Sequence, residues 1–437
     1  MLLIAVVALL VWRIASIGMS SHYVELLKEG EDRVATKALV WNDRQPEALY
    51  RQAIARRDAD PETALRQLAR AYAENPADAR SLMAMADIAQ VQGDQARADA
   101  LVDTAVGLMP VDPRVQKGAA SYWVSQGELE KAMKHWSLAL ESDASARKQL
   151  FPILLKLAED PRTRFAFKPL AVSPPTWWNS FFAEVSKRAF DVETVRLLYS
   201  LRLESPRVPL TEPERKAYVA RLKKEGMISE AFIHWANGLS SEQRAQLGLL
   251  YAGGFELEPH NWGFDWHLRS GRGALIDRAR TYGVDGDQAL HILFNRHTGQ
   301  FQGVFQSLFL DPAPYRLTGR VRTDSLETKG GLKWVLRCLH PDTMDLGESE
   351  RFLGSNQWRS FDFEFQVPAS CALQEIRLVS TGKRAFEHEI TGGAWFDRMA
   401  IRKIPKLSRL PNAGPTGIDG SSSGTPDSPL PRAMETQ

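Results

Sequence analysis

Apolar positions along this chain follow three successive rhythms. Residues Met1 to Trp12 are apolar without interruption, Arg13 breaks the run, and Ile14 to Met19 are again mostly apolar. A bilayer core about 30 Å thick takes about 20 helical residues. The segment is therefore long enough to cross as an uncleaved anchor, with Arg13 snorkelling to the interface; a cleaved signal peptide is the rival reading. From about residue 46 to 250 the apolar residues recur at helical spacing. From about 251 to 404 they alternate with polar ones, as strands with one buried face do. The pattern predicts a multidomain chain, helix first and sheet second.

The helical stretch carries a 34-residue period. Ala64, Ala98 and Ala132 share one register position, and Ala71, Ala105 and Ala139 share another; Gly93 and Gly127, like Pro76 and Pro110, are spaced the same way. Each unit predicts a helix, a turn at Gly93-Asp94 or Gly127-Glu128, a second helix and a Pro or polar stop. Alanine lets two helices approach closely, and glycine tolerates the turn geometry. One such hairpin cannot bury its apolar face alone, so neighbours stack into an α-solenoid. On these residues the chain resembles the tetratricopeptide repeat (TPR) over 46–147. The match is best in "RSLMAMADIAQVQGDQARADALVDTAVGLMPVDP" at 80–113 and next best in the repeat with "GELEKAMKHWSLAL". The resemblance implies a concave groove, lined by the first helix of each repeat, that binds protein partners. Arg80, Met83, Asp87 and Gln90 would line it, with Arg114, Lys117 and Ser121 from the next repeat. For each of these the competing reading is a solvated helix face.

Residues 148–250 read as irregular helical repeats. "TEPERKAYVARLKKEG" opens on Thr211 with Glu214 three residues on and ends at Gly226, a capping box with a glycine stop. Trp177, Trp178, Phe181 and Phe182 form an aromatic cluster that packs the solenoid against the next domain; an exposed partner patch is the alternative.

Beyond residue 251, "YRLTGRVRT", "LKWVLRCL", "SFDFEFQV", "LQEIRLVS" and "AWFDRMAIRKI" read as strands of an antiparallel β-sandwich. Alternation puts Tyr315, Leu317, Val321, Trp334, Leu336, Cys338, Phe361, Phe363 and Phe365 inside. It puts Arg316, Arg320, Arg322, Lys333, Arg337, Asp362 and Glu364 outside. That outer face is either a solvated sheet with cross-strand ion pairs or a surface for an anionic or polyhydroxylated ligand. The segments "GGFE" (253–256), "VFQSLFLDPAPYRLTGRVRT" (304–323), Trp358 to Phe363 and "AWFDRMAI" (394–401) resemble the galactose-binding-like jelly roll of many carbohydrate-binding modules. The resemblance implies sugar binding through aromatic rings, with Trp262, Trp266 and Phe386 as candidates. It also implies a structural calcium, for which Glu256 and Asp397 are the candidate oxygen ligands. Cys338 and Cys371 form either a disulfide, if the domain lies outside the cytoplasm, or two buried thiols.

Composition narrows the function classes. In 437 residues, 55 Lys and Arg face 53 Asp and Glu, a net charge of +2; nucleic acid as the main partner would need a clear basic excess. Two cysteines cannot build a disulfide scaffold or a Cys-based zinc site. His388 between Glu387 and Glu389 suggests a metal or acid/base cluster, but neighbours on a strand point to opposite faces. "GSSSG" at 420–424 has nucleophile-elbow spacing but lies in the Pro-, Gly- and Ser-rich segment 405–437, a disordered tail. Glu256, Glu258 and Asp265 keep a glycan-processing enzyme as an alternative.

The order is anchor 1–20, juxtamembrane helical linker 21–45, TPR 46–147, irregular repeats 148–250, sandwich 251–404, tail 405–437. It resembles the membrane-anchored tetratricopeptide proteins found with bacterial exopolysaccharide or O-antigen assembly systems. That resemblance implies a non-catalytic envelope protein, held in the inner membrane by one N-terminal pass, with its bulk in the periplasm. Its partners would be envelope proteins of the assembly system and glycan, with no cofactor beyond the structural calcium. A glycan-binding protein whose repeats are purely structural is a further alternative.

Overall fold

The computed structural model describes residues 2–26, 32–205, 208–382 and 384–405; the side chain of Phe386 and the tail from residue 406 lie outside the described residues. The chain opens with α1 (Leu2–Glu25) and α2 (Asp32–Trp41). Three hairpins follow: α3 (Pro46–Arg56) with α4 (Pro61–Glu74), α5 (Arg80–Val91) with α6 (Gln95–Leu108), and α7 (Pro113–Ser125) with α8 (Leu129–Ser142). Then come α9 (Arg147–Glu159), α10 (Lys168–Val172), α11 (Trp178–Arg188), α12 (Val192–Leu203), α13 (Glu212–Lys224), α14 (Ile228–Ala236) and α15 (Ser241–Arg244).

The repeat positions do what their residue types dictate. Ala64, Ala98, Ala132, Ala71, Ala105 and Ala139 are all buried between helices. Asp60, Asp94 and Asp112 cap α4, α6 and α7 by accepting hydrogen bonds from backbone N–H groups of the first turn. Gly93 and Gly127 take positive φ, +80° and +77°, to reverse the chain between paired helices. At the start of α13 the capping box of Thr211 and Glu214 is formed. Glu214 does more than cap. Its Oε1 accepts from Arg202 Nε at 2.6 Å and from Trp178 Nε1 at 2.8 Å, and both charged side chains are fully buried. Trp177, Trp178, Phe181 and Phe182 are buried inside the helical array, where Phe181 meets Phe151 and Phe167, so they pack the helices on one another rather than the solenoid on the sandwich.

The strands are β1 (Trp266–Leu268), β2 (Ala274–Arg280), β3 (Gln288–His297), β4 (Val304–Leu308), β5 (Pro314–Thr328), β6 (Leu332–His340), β7 (Met344–Glu348), β8 (Gly354–Gln366), β9 (Leu373–Ser380) and β10 (Ile390–Lys403). They form two five-stranded sheets, β1-β4-β9-β6-β7 and β2-β3-β10-β5-β8, antiparallel throughout. The fold is thus an α-solenoid followed by an antiparallel β-sandwich. The inward residues expected from alternation are buried, around a stack in which Trp334 meets Trp266 at 5.8 Å and Phe396 at 5.2 Å between ring centroids. Cys338 and Cys371 are bonded, with Cα atoms 5.7 Å apart. β10 is irregular near its start, between Ile390 and Gly393, and again near its end. The register shifts between Asp397 and Ala400, and Arg398 has φ +53°. This bulge turns the carboxylate of Asp397 into the interior, where it is fully buried. Residues 385–388 form a 3-10 turn rather than a strand, so alternation does not govern His388; its Nδ1 lies 3.4 Å from Ser380 Oγ.

Helices and sandwich share one core. Phe232 and Trp235 of α14 meet Phe264 at 5.2 and 5.7 Å. Lys223 of α13 donates to Gly263 O at 2.9 Å and Ser307 Oγ at 2.8 Å. Burial at this seam pushes the Lys223 amine down to about 8.

Candidate functional site

The outer face of the β2-β3-β10-β5-β8 sheet carries one row of side chains across its strands. Register places Asp277 opposite His291, His291 opposite Trp395, and Trp395 opposite Arg322. Trp358 of β8 closes the row, its ring 5.8 Å from the Arg322 guanidinium. Hydrogen bonds and stacking fix each member. His291 Nδ1 lies 3.0 Å from Asp277 Oδ1, and its ring stacks on Trp395. Trp395 Nε1 and Arg322 Nη2 both donate to Asp324 Oδ2, at 2.9 and 3.0 Å. Trp358 Nε1 donates to Tyr282 O at 2.7 Å. The Arg322 guanidinium also lies 4.6 Å from the Trp395 ring and 4.9 Å from the Tyr282 ring. Arg322 is itself buried, and its Nε has no hydrogen-bond partner among the described residues.

The row combines two chemistries. Tyr282, 66% exposed, offers open ring area, while Trp395 is flanked by His291 and Arg322 and Trp358 by Arg320 and Arg322, so these two indoles present mainly their edges. The carboxylates of Asp277 and Asp324 flank the rings with 46% and 55% of their side-chain surface open to solvent. A ring face favours a flat apolar surface, and a carboxylate accepts hydrogen bonds from hydroxyls. Towards one end of the sheet the face continues into a cleft lined by Arg316, Arg320, Asp362, Arg398 and Arg402.

The residues singled out by sequence sit elsewhere. Trp266 is 1% exposed and packs between Phe255 and Trp334; it belongs to the core and offers no face to a sugar. Trp262 is buried too, beside α13 near Lys223 and Gly263. The causes differ: Trp262 lies at the seam where the solenoid meets the sandwich, and Trp266 opens β1 and points into the sandwich core. Phe386 lies outside the described residues as far as its side chain is concerned. Glu256 and Asp397 do converge, on the loop between β2 and β3 that carries Tyr282. Glu256 Oε1 accepts from the N–H groups of Asp287 and Gln288, at 3.1 and 3.0 Å, and Asp397 Oδ2 accepts from Asp285 N at 3.0 Å. Burial raises the Asp397 carboxyl above the ordinary carboxylate range. Among the described residues no three or more His, Cys, Asp or Glu side chains gather as a metal site. The two expected ligands act here as staples of the loop. Glu258 pairs with Arg278, and Asp265 is buried on the backbone N–H groups of His260 and Trp266.

On the helical array, the expected groove residues lie on α5 and α7 and mostly bond within the array. Arg80 pairs with Asp78 and with Glu47, Arg114 with Asp112, Lys117 with Gln149, and Gln90 with Ser125. Ser121 bonds back to Lys117 O, and Met83 packs on Gly118. Asp87 lines a small cleft with Arg57, Ile88 and Val91.

The row on the sheet was missed because no local pattern announces it. Its members come from residues 277, 291, 322, 358 and 395, and only strand register brings them together. Alternation did put Arg322 outward; an outward Trp395 between inward Ala394 and Phe396 was the one available signal.

The chain matches no protein-family model and no curated protein. Among solved structures, a CBM4 structure aligns with 36% of this chain and 99% of its own length, at 17% identity and a TM-score of 0.27. A xylan-binding domain from CBM 22 aligns with 36% of this chain and 95% of its own, at 14% identity and 0.27. A structure of MamA aligns with 31% of this chain and 81% of its own, at 18% identity and 0.25. None of these likenesses carries a function to this chain.

Proposed function

We propose that the protein is a membrane-anchored, non-catalytic scaffold that holds glycan on the outer face of the β2-β3-β10-β5-β8 sheet. The row Asp277–His291–Trp395–Arg322–Trp358 carries this reading. Pre-set rings beside open carboxylates suit the alternating C–H faces and hydroxyls of a sugar chain. α1 is long and apolar enough to cross a membrane, and the Cys338–Cys371 bond suits an oxidising compartment. Both suit an anchored protein with its bulk outside the cytoplasm; the bacterial inner membrane, the periplasm and a role in polysaccharide assembly or export are the proposed setting. A calcium at Glu256 and Asp397 is not part of this reading, because both carboxylates already accept backbone N–H groups of the loop.

A second reading of the helical array has its own support. Most of its expected groove residues are engaged within the array, and the buried residues from α8 onward share one core with the sandwich, while those of α3 to α6 mostly form a cluster of their own. The array then serves as a rigid spacer rather than a capture surface for envelope proteins. Purified full-length protein on an array of bacterial and plant polysaccharides tests the first reading; retention that Trp395→Ala abolishes supports it, and no retention on any glycan contradicts it. Cross-linking in membranes tests the second; an envelope partner captured by wild type and lost on Arg114→Glu restores a partner-binding array.

A further inference from the structure

α13 meets the sandwich across a cleft of about 440 Å³, within the size range of small-ligand sites. Lys216 and Lys223 stand on its helical wall, seven residues apart and so on one face of α13. Trp262, His267 and Arg269 stand on the sandwich wall, in and around β1.

The cleft carries charge of one sign. No Asp or Glu is among the described residues that line it, and Lys216 and Arg269 make no ion pair among the described residues. The carboxylate whose charge reaches Lys223 is Glu375, and that group is bonded to Arg377 at 2.6 Å. Lys223 donates to Gly263 O and Ser307 Oγ, which leaves one N–H of its ammonium group. Phe305 fixes the sandwich wall: the Arg269 guanidinium lies 4.8 Å from its ring centroid, and His267 stacks on the same ring. Trp262 Nε1 and His267 Nδ1 are buried with no hydrogen-bond partner among the described residues, although buried polar groups normally have one. His267 senses the cations directly. After burial, the charges of Lys223, Arg269 and Lys216 are what hold its imidazole low. Like charges gathered at a partly buried joint repel one another, and an anion placed among them removes that repulsion.

We propose that this seam cleft binds a compact oxyanion, a phosphate or the carboxylate of an acidic sugar, held by Lys216, Lys223 and Arg269. The ligand is an oxyanion because the walls offer N–H donors and positive charge with no carboxylate to hold a cation. Once bound, it links α13 to the strand β1 and stiffens the joint between solenoid and sandwich. The site shares no residue with the row on the β2-β3-β10-β5-β8 sheet, so it does not rest on the glycan reading.

The test is isothermal titration calorimetry of the full chain in detergent micelles at pH 7 and constant ionic strength, with inorganic phosphate, glucuronate and glucose as separate titrants. One phosphate or one glucuronate per chain is expected to bind, and glucose is not; the tighter anion identifies the source of the group. Lys216→Gln and Arg269→Gln, both at exposed positions, are each expected to weaken binding about tenfold, the effect of losing one charged hydrogen bond. Lys224→Gln removes the same charge from α13 outside the cleft and is expected to bind like wild type. Failure of both anions to bind overturns the site, as does wild-type affinity in both Lys216→Gln and Arg269→Gln. An equal loss in Lys224→Gln overturns it by reducing the effect to net charge. Glucuronate binding that Trp395→Ala abolishes and Lys216→Gln keeps overturns it by moving the ligand to the sheet row.

Discussion

His291 lies flat on Trp395, with ring centroids 3.9 Å apart and planes 22° from parallel, although 104 positions of sequence separate the two residues. They are direct cross-strand partners of β3 and β10, and such pairs on a sheet face support each other. His291 covers one side of the indole and is itself held by Asp277. It is a positioning residue in the proposed glycan face. His291→Ala is expected to weaken glycan binding by about 0.5–1.5 kcal/mol, the worth of an aromatic pair, with the near-ultraviolet circular dichroism unchanged. Unchanged affinity contradicts the positioning role.

Glu214 and Arg202 form an ion pair with no exposed side-chain surface. Burial alone would raise the Glu214 carboxyl, but hydrogen bonds from Arg202 and Thr211 outweigh it and hold the group below the ordinary range. Removing one partner strands the other charge in the core. Glu214→Gln is expected to cost about 3–5 kcal/mol of stability, read as a lowered urea midpoint. A loss below about 1 kcal/mol, the range of an exposed pair, contradicts a dry pair.

Gly263 sits at the seam of helices and sandwich with φ +69°, and a Cβ there would lie 2.3 Å from Trp235 Cδ1. The indole is fixed by Tyr251 and Phe264 and cannot step aside. Gly263→Ala therefore combines backbone strain with overpacking and is expected to destabilise by about 1–3 kcal/mol, seen as a lower thermal midpoint. A midpoint equal to wild type shows that the seam is loose.

His267 stacks on Phe305 at 4.4 Å between centroids. Burial, and then the positive charges of Lys223 and Arg269, push its imidazole down to about 4, against about 6.5 when unfolded. Between these values the unfolded chain binds the extra proton, so stability falls as pH drops from about 6.5 towards 4. In His267→Asn this part of the acid dependence is expected to flatten, as measured by urea unfolding at pH 7, 6, 5 and 4. An identical pH profile in the variant contradicts the burial of a neutral histidine at this seam.

The sequence was most readable where one residue type had one job. The alanines and glycines of the 34-residue period gave the hairpins, and Thr211 with Glu214 gave a helix start, because each acts within a few residues of itself. Alternation gave the inner faces of β5, β6 and β8 for the same reason. It did not reveal that Asp397 points inward, since a bulge resets the period there. It also could not separate Trp262, buried at the solenoid seam, and Trp266, buried in the sandwich core, from Trp358 and Trp395, which stand on the outer face. That distinction depends on which strands pair and on what docks against the sheet, and neither is a local property.

The central claim is that the outward row on the β2-β3-β10-β5-β8 sheet holds sugar. Affinity electrophoresis of the full-length protein through gels containing the polysaccharide it binds measures this directly. Trp395→Ala and Trp358→Ala are expected to migrate about tenfold less retarded, about 1.4 kcal/mol each, while Phe190→Ala, a fully surface-exposed change on the helical array, is expected to migrate like wild type. Equal retardation of all four proteins would contradict the account.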